Sequence, residues 1–118
     1  MIKFSADIVL VAFKRTFVNG KRHFNTPSYS GFKTALGYHA RFAMRDAPPL
    51  TGAVKIAVDV YHNRKPTALN YGDADNHLKA VCDALNGICY IDDRQIVYAT
   101  VRLHRGDPPH IDIELEEL

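Results

Sequence analysis

Cysteine is scarce in this chain of 118 residues: Cys82 and Cys89 are the only two. With so few thiols and no secretion signal, a disulfide framework is not expected, and both cysteines should stay reduced in a cytosolic setting. Structural zinc is not expected either, because the pair lacks close ligand spacing and lies in or beside an apolar face. Long hydrophobic runs are missing too. The longest candidate near the start, IVLVAF at residues 8–13, falls far short of the roughly 20 residues that cross a bilayer. It follows Asp7 and precedes no small-residue cleavage pattern, so it reads as a strand and not as a signal peptide. There are no repeats, no low-complexity tract and no linker, and the length suits a single core covering residues 1–118. The six histidines are scattered without ligand spacing. Lysine and arginine are absent from 106–118, which hold five of the 13 acids. Residues 1–105 therefore carry 15 basic against 8 acidic side chains, a balance of +7 beneath the overall +2. That excess favours a polyanionic partner, nucleic acid above all. A merely solvated surface with an acidic tail reads equally well from composition.

The patterning predicts alternating strands and helices. Residues 7–13 are expected to form a first strand. The basic stretch KRTFVNGKRHFNTP (14–27) follows as a loop or a hairpin turning at Asn19-Gly20, a favoured two-residue turn. Residues 29–45 read as a helix with Phe32, Leu36, His39 and Ala43 on one side beside Ala35 and Phe42. His39 there reads as a core residue. Ser28 or Ser30 can cap this helix, and Pro48-Pro49 stops it. Val54, Ile56, Val58 and Val60 alternate with Lys55, Ala57, Asp59 and Tyr61 as a second strand. A polar loop leads to a second helix, on which Leu78, Val81, Cys82, Leu85 and Ile88 cluster opposite Asn76, Lys79, Asp83 and Asn86. Gly87 suits the left-handed position that ends it. Residues 91–93 open a third strand with Val97, Ala99, Val101 and Leu103 facing inward. After a turn at Asp107-Pro108-Pro109, Ile111, Ile113 and Leu115 mark a fourth. The order is β-α-β-α-β-β, an α/β chain of the α+β type with helices packed on a mixed sheet.

The chemistry concentrates in GDADNHLKAVCDALNGICYIDD, residues 72–93. Asp73 and Asp75, two apart in an extended segment, would point the same way. Lys79 lies one helical turn beyond Asp75. Asp93 opens the following strand, and if that strand packs beside the helix start, three carboxylates and one lysine meet. Carboxylates ~5 Å apart repel by about 3 kcal/mol per pair at an effective dielectric near 20. One lysine cannot offset three such pairs. A hard divalent cation can, and carboxylate oxygens are what Mg²⁺ prefers.

Plainer readings of the same residues stay open. Asp73 or Asp75 can simply cap the helix, Asp92-Asp93 can mark a turn, and Lys79 with Asp83 can form a surface pair. A calcium loop starting at Asp73 fails, since Leu78 takes the glycine position and Ala84 the bidentate glutamate position.

Taken jointly, DADNHLKAVCDALNG followed by IDDRQI resembles the signature of the RusA family of Holliday junction resolvases. The matching positions are Asp73, Asp75, Asn76, Lys79, Asp83-Ala84-Leu85, Asp92-Asp93 and Gln95. The resemblance implies a homodimeric, Mg²⁺-dependent endodeoxyribonuclease, with Mn²⁺ as a substitute, that nicks four-way DNA junctions symmetrically in recombination and repair. It implies Asp73, Asp75 and Asp93 as catalytic metal-binding carboxylates, Lys79 as catalytic lysine, and Asp92 and Asn76 as supporting neighbours. A cytoplasmic, nucleoid-associated setting in a bacterial or phage-infected cell goes with it, and no membrane. The chain departs from the family where a proline-rich segment usually leads to an asparagine; Asn19 and Asn25 are the stand-ins. Lys14, Arg15, Lys21, Arg22, Arg64 and Lys65 are the candidates for DNA phosphate contacts. Phe17 and Phe24 could stack at an opened junction or pack their own loop. The competing functions are a nuclease for flaps and forks and a non-catalytic DNA-binding module.

Overall fold

The computed structural model describes residues 1–13, 17–18, 22–23, 27–67 and 72–118, with the backbone alone at 17–18 and 22–23. Its first strand, β1 (Ile2–Ala6), is not the expected one at 7–13. The reason is periodicity. IKFSA alternates exposed and covered side chains, as a strand with one buried face must. In 8–13 every residue is apolar, and the segment runs along the edge of the core as irregular chain. Ile8, Leu10, Val11 and Phe13 pack against the core while Val9 stays exposed. A short antiparallel pair follows, β2 (Phe17–Val18) with β3 (Arg22–His23). It agrees with the hairpin expected there, although residues 19–21 lie outside the described residues.

Helix α1 (Pro27–Met44) begins on a proline, whose fixed φ and missing N–H suit a first helical position. Ser28 and Ser30 therefore lie inside the helix and do not cap it. The chain leaves α1 through Arg45 at φ 54, before the two prolines. The buried stripe is Tyr29, Phe32, Leu36, Gly37, Ala40 and Met44. Phe42, expected on that side, is 83% exposed, because it lies roughly 120° around the helix from Leu36. His39 is half-buried.

Strand β4 (Val54–His62) is the spine of the sheet. The sheet order is β1-β6-β4-β5, with β5 (Ile96–Arg105) parallel to β4 and β6 (His110–Glu117) antiparallel to both β4 and β1. The mixed sheet and the β-α-β-α-β-β order of its strands and helices agree with the sequence, the short β2–β3 hairpin lying outside this sheet. Val54, Ile56, Val58 and Val60 with Ile111, Ile113 and Leu115 form the inner face, each at most 2% exposed. Each such side chain contributes about 2 kcal/mol of burial. Helices α1 and α2 (Ala74–Leu85) cover that face. One register shift alters the expected inward set on β5. Val54 pairs with Ile96 but Lys55 with Tyr98, so the chain bulges at Val97 and turns it out, 65% exposed. Val101 and Leu103 remain on the core side. Residues 91–93, expected to open this strand, instead lead into a single 3-10 turn, Asp93–Gln95. On the outer face, Tyr61 stacks between His104 (4.5 Å) and His110 (4.2 Å). Asp59 there accepts from His104 at 2.7 Å and pairs with Arg102 at 2.9 Å. No helix among the described residues is long and apolar enough to cross a membrane.

Candidate active site

The motif helix α2 projects one apolar face into the core and one polar face outward. Ala80, Val81, Cys82, Ala84 and Leu85 are buried, whereas Lys79 is half-exposed and Asp83 partly covered. Asp73 occupies the N-cap position with extended backbone (φ −76, ψ 137), yet its side chain makes no cap hydrogen bond. The position alone fits a cap; the carboxylate is not used as one. Asp75 lies in the first helical turn and not in an extended segment, so the expected alternation of Asp73 and Asp75 does not describe them. Both are exposed.

What fixes Asp73 is a residue the sequence reading passed over. His77 is 4% exposed. Its Nδ1 lies 2.7 Å from the Asp73 carbonyl oxygen, and its backbone N–H donates to the same oxygen at 3.1 Å. Gly72, at φ +99, lies against this ring: a Cβ there would meet His77 Cε1 at 2.9 Å. The signal available in the sequence was a histidine four residues after Asp73, with glycine just before that aspartate.

The second half of the motif is a built corner. Asp92 caps the 3-10 turn, its Oδ1 accepting from the Arg94 N–H at 2.9 Å. Gln95 closes a capping box, its Oε1 accepting from the N–H groups of Asp92 (2.9 Å) and Ile91 (2.8 Å). Its Nε2 donates to the carbonyls of Leu50 (2.8 Å) and Gly52 (2.9 Å). The Arg94 backbone N–H, and then its guanidinium at 3.3 Å, hold the Asp92 carboxyl below the usual range. Asp92 is thereby committed to shape, and Asp93, its neighbour, is presented half-buried. The charge of Asp93 reaches α2. Burial pushes the Cys82 thiol up to about 11, and the carboxylates of Asp93 and Asp83 add to the rise while Lys79 opposes it.

Lys79 is held from two sides. Its ammonium lies 3.5 Å from Asp83 Oδ1 and 4.8 Å from the centre of the Phe13 ring. Phe13 in turn donates its N–H to the Asn76 carbonyl at 3.2 Å, which docks the segment after β1 onto the start of α2. Asn76 itself is half-buried.

Among the described residues, no three acidic, histidine or cysteine side chains are gathered closely enough to hold a metal ion. Asp73 and Asp75 stand in water, where their mutual repulsion is screened, and Asp93 is carried by the 3-10 turn that follows α2. The donor chemistry nonetheless fits a hard cation: Asp73 is not spent on capping, and Asp75 shares its helical turn, both offering the oxygens such ions take. Of the proposed phosphate contacts, Arg64 and Lys65 are exposed in the loop before α2. The side chains of Lys14, Arg15, Lys21 and Arg22, like those of Phe17 and Phe24, lie outside the described residues. A cleft of about 330 Å³ between α1 and α2 is lined by Lys33, Thr34, Tyr38, Arg41, Asp83 and Ile88. Its two cations on α1 were not among the sequence candidates.

The family model of the endodeoxyribonuclease RusA matches residues 11–116. The chain belongs to the RusA family of endodeoxyribonucleases. It is also 30% identical over 119 residues, 85% of this chain and 82% of the relative, to a Bacillus subtilis (strain 168) protein described as uncharacterized protein YqaN. RusA nucleases resolve Holliday junctions and are generally dependent on divalent metal. The RusA match includes both halves of the motif, the α2 helix and the Asp92–Asp93 corner.

Proposed function

We propose that this RusA-family chain is a Mg²⁺-dependent crossover junction endonuclease that resolves four-way DNA junctions by paired, symmetric nicks. The observation that carries the reading is the start of α2. Asp73 takes the N-cap position without a side-chain cap hydrogen bond, Asp75 is exposed in the same turn, and Lys79 follows one turn later. Asp73, Asp75 and Asp93 would hold the ion, with Mn²⁺ able to replace it. When bound, a divalent ion acidifies water and polarises the scissile phosphate. Lys79 stabilises charge building on the phosphate or the leaving oxygen. Asp92, through its capping box, orients the corner that presents Asp93, and the Asn76 carbonyl anchors the segment bearing Phe13. Lys14, Arg15, Lys21, Arg22, Arg64 and Lys65 supply phosphate contacts, joined by Lys33 and Arg41 of the α1 cleft. Two matched cuts in a two-fold junction call for one site per subunit of a homodimer. The work belongs to recombination and repair in the cytoplasm, at the nucleoid.

The test is cleavage of a synthetic four-way junction beside linear duplex, fork and flap, with Mg²⁺ and with EDTA. Paired nicks confined to the junction, dependent on Mg²⁺ and lost in Asp75→Asn while folding and junction binding persist, are the expected result. Equal cutting of forks and flaps would retain the metal site and discard junction selectivity. Tight, salt-sensitive binding without cutting under any metal would leave a DNA-binding module.

A further inference from the structure

Asp75, Lys79 and Asp83 succeed one another at intervals of four along α2, so Lys79 has an acid one turn away on either side. In a bare helix the favoured pairing places the acid on the N-terminal side of the lysine, which here is Asp75. The structure shows the opposite choice: the ammonium lies 3.5 Å from Asp83 Oδ1. Two contacts from outside the helix account for it. The Tyr29 hydroxyl, on α1, donates to Asp83 Oδ2 at 2.8 Å, so one carboxylate oxygen is pinned and the other faces Lys79. The Phe13 ring lies beneath the ammonium at 4.8 Å and is itself set by an edge contact with Tyr29, at 5.8 Å between centroids and 70° between planes. Burial, and then the hydrogen bond and charge of Asp83, raise the Tyr29 hydroxyl well above its ordinary range.

We propose that Tyr29 and Asp83 are positioning residues for the active site: by fixing Asp83, the Tyr29 hydroxyl draws the Lys79 ammonium away from Asp75 and leaves the Asp75 carboxylate open to the divalent ion. This rests on the reading of Asp75 and Lys79 as site residues. It assigns a task to Asp83, which the motif includes without one, and brings in Tyr29 from a helix outside the motif. Without the pin, Lys79 turns to Asp75 and competes with the cation for it.

Tyr29→Phe removes one hydroxyl and keeps the ring against Phe13. Mn²⁺ binding is measured without DNA, from the electron paramagnetic resonance of the free ion, on variants whose thermal melts match the wild type. Tyr29→Phe and Asp83→Asn should each weaken Mn²⁺ binding about 1.5- to twofold, the size of one competing pair on a helix surface. Junction cleavage by Tyr29→Phe should lose kcat by roughly tenfold with KM unchanged, as expected when a reacting group is misplaced. Adding Lys79→Met to Tyr29→Phe should restore Mn²⁺ affinity, because no ammonium is left to occupy Asp75. Wild-type affinity in Tyr29→Phe, or no restoration in the double variant, would overturn the positioning role alone. Failure of the wild type to bind Mn²⁺, or unchanged binding after Asp75→Asn, would overturn the site assignment and this proposal with it.

Discussion

Gln95 ties the Asp92–Asp93 corner to the segment before β4, and its loss should be felt in both stability and catalysis. Its amide makes four hydrogen bonds of 2.8–2.9 Å, two accepted from Ile91 and Asp92 and two donated to Leu50 and Gly52. A net value of about 1 kcal/mol per bond would give about 4 kcal/mol. The Ile91 end is exposed, so water recovers part of this, and Gln95→Ala should cost about 2–3 kcal/mol. With an unfolding entropy near 2.1 cal/mol/K per residue, that is a fall in Tm of roughly 10 °C for a chain of this length. Urea denaturation followed by circular dichroism would read the same loss as a lower midpoint at constant slope. Gln95→Glu is the sharper variant. It keeps the acceptor for the two N–H groups and sets a carboxylate oxygen against the Leu50 and Gly52 carbonyls, so it should be no better than alanine at neutral pH. Cleavage should fall with both, because Asp93 is presented by this corner. A Gln95→Ala protein within 0.5 kcal/mol of wild type, on the order of an ordinary surface substitution, would show that the bonds do not hold the corner together.

The two faces of α1 should respond in opposite ways: Leu36→Ala should cost about 3 kcal/mol by denaturant titration, while Phe42→Ala should stay within about 0.5 kcal/mol. Gly72→Ala should cost about 1–2 kcal/mol, from its positive φ and the approach to His77, and lower cleavage by shifting Asp73. Burial opposes the ionisation of Asp59, but hydrogen bonds from His104 and Arg102 outweigh it and hold its carboxyl below the ordinary value. A depressed folded pKa gives stability that is complete above the unfolded value near 4 and fades as pH falls through the folded one. Asp59→Asn should therefore be less stable than wild type at pH 7, with the gap closing below about pH 4 in acid titrations of the melt.

What the sequence made legible, and what it hid, divides along physical lines. Strands with one buried face announced themselves, since Val54, Ile56, Val58, Val60, Ile111, Ile113 and Leu115 alternate and all are buried. The motif helix was readable by face for the same reason. Long-range partners were not readable. The choice of β1 over residues 8–13 depends on β6 accepting Ile2–Ala6 as a neighbour, and local hydrophobicity favoured the wrong segment. Val97 was misread because a single bulge reverses the inward set, and nothing local announces it. In α1 the helical spacing was read one side too wide and drew Phe42 inward, whereas the small residues Gly37, which lies against Ala84 and Ile88, and Ala40 take part in the buried stripe. Around the proposed site, the placement of Asp73 and Asp75 at the start of α2, with Lys79 one turn on, was legible from the helix pattern. His77, Gln95 and Tyr29 were not given their tasks, because each acts through a backbone carbonyl or a side chain supplied by another part of the fold.

The six residues between α2 and Asp92 have a consequence for how much the chain can vary in length. Asn86, Ile88 and Cys89 all donate back to the last turn of the helix, Gly87 donates to the Tyr90 carbonyl, and Cys89 accepts from Leu50. Tyr90, fully buried, donates its hydroxyl to the Cys82 carbonyl at 2.7 Å. Such a segment behaves as a ruler. One inserted residue would break several bonds together and carry Asp93 out of step with Lys79, whereas additions at 63–67, all exposed, leave that measure untouched. Duplication and deletion should accumulate on one side of the helix and be purged on the other.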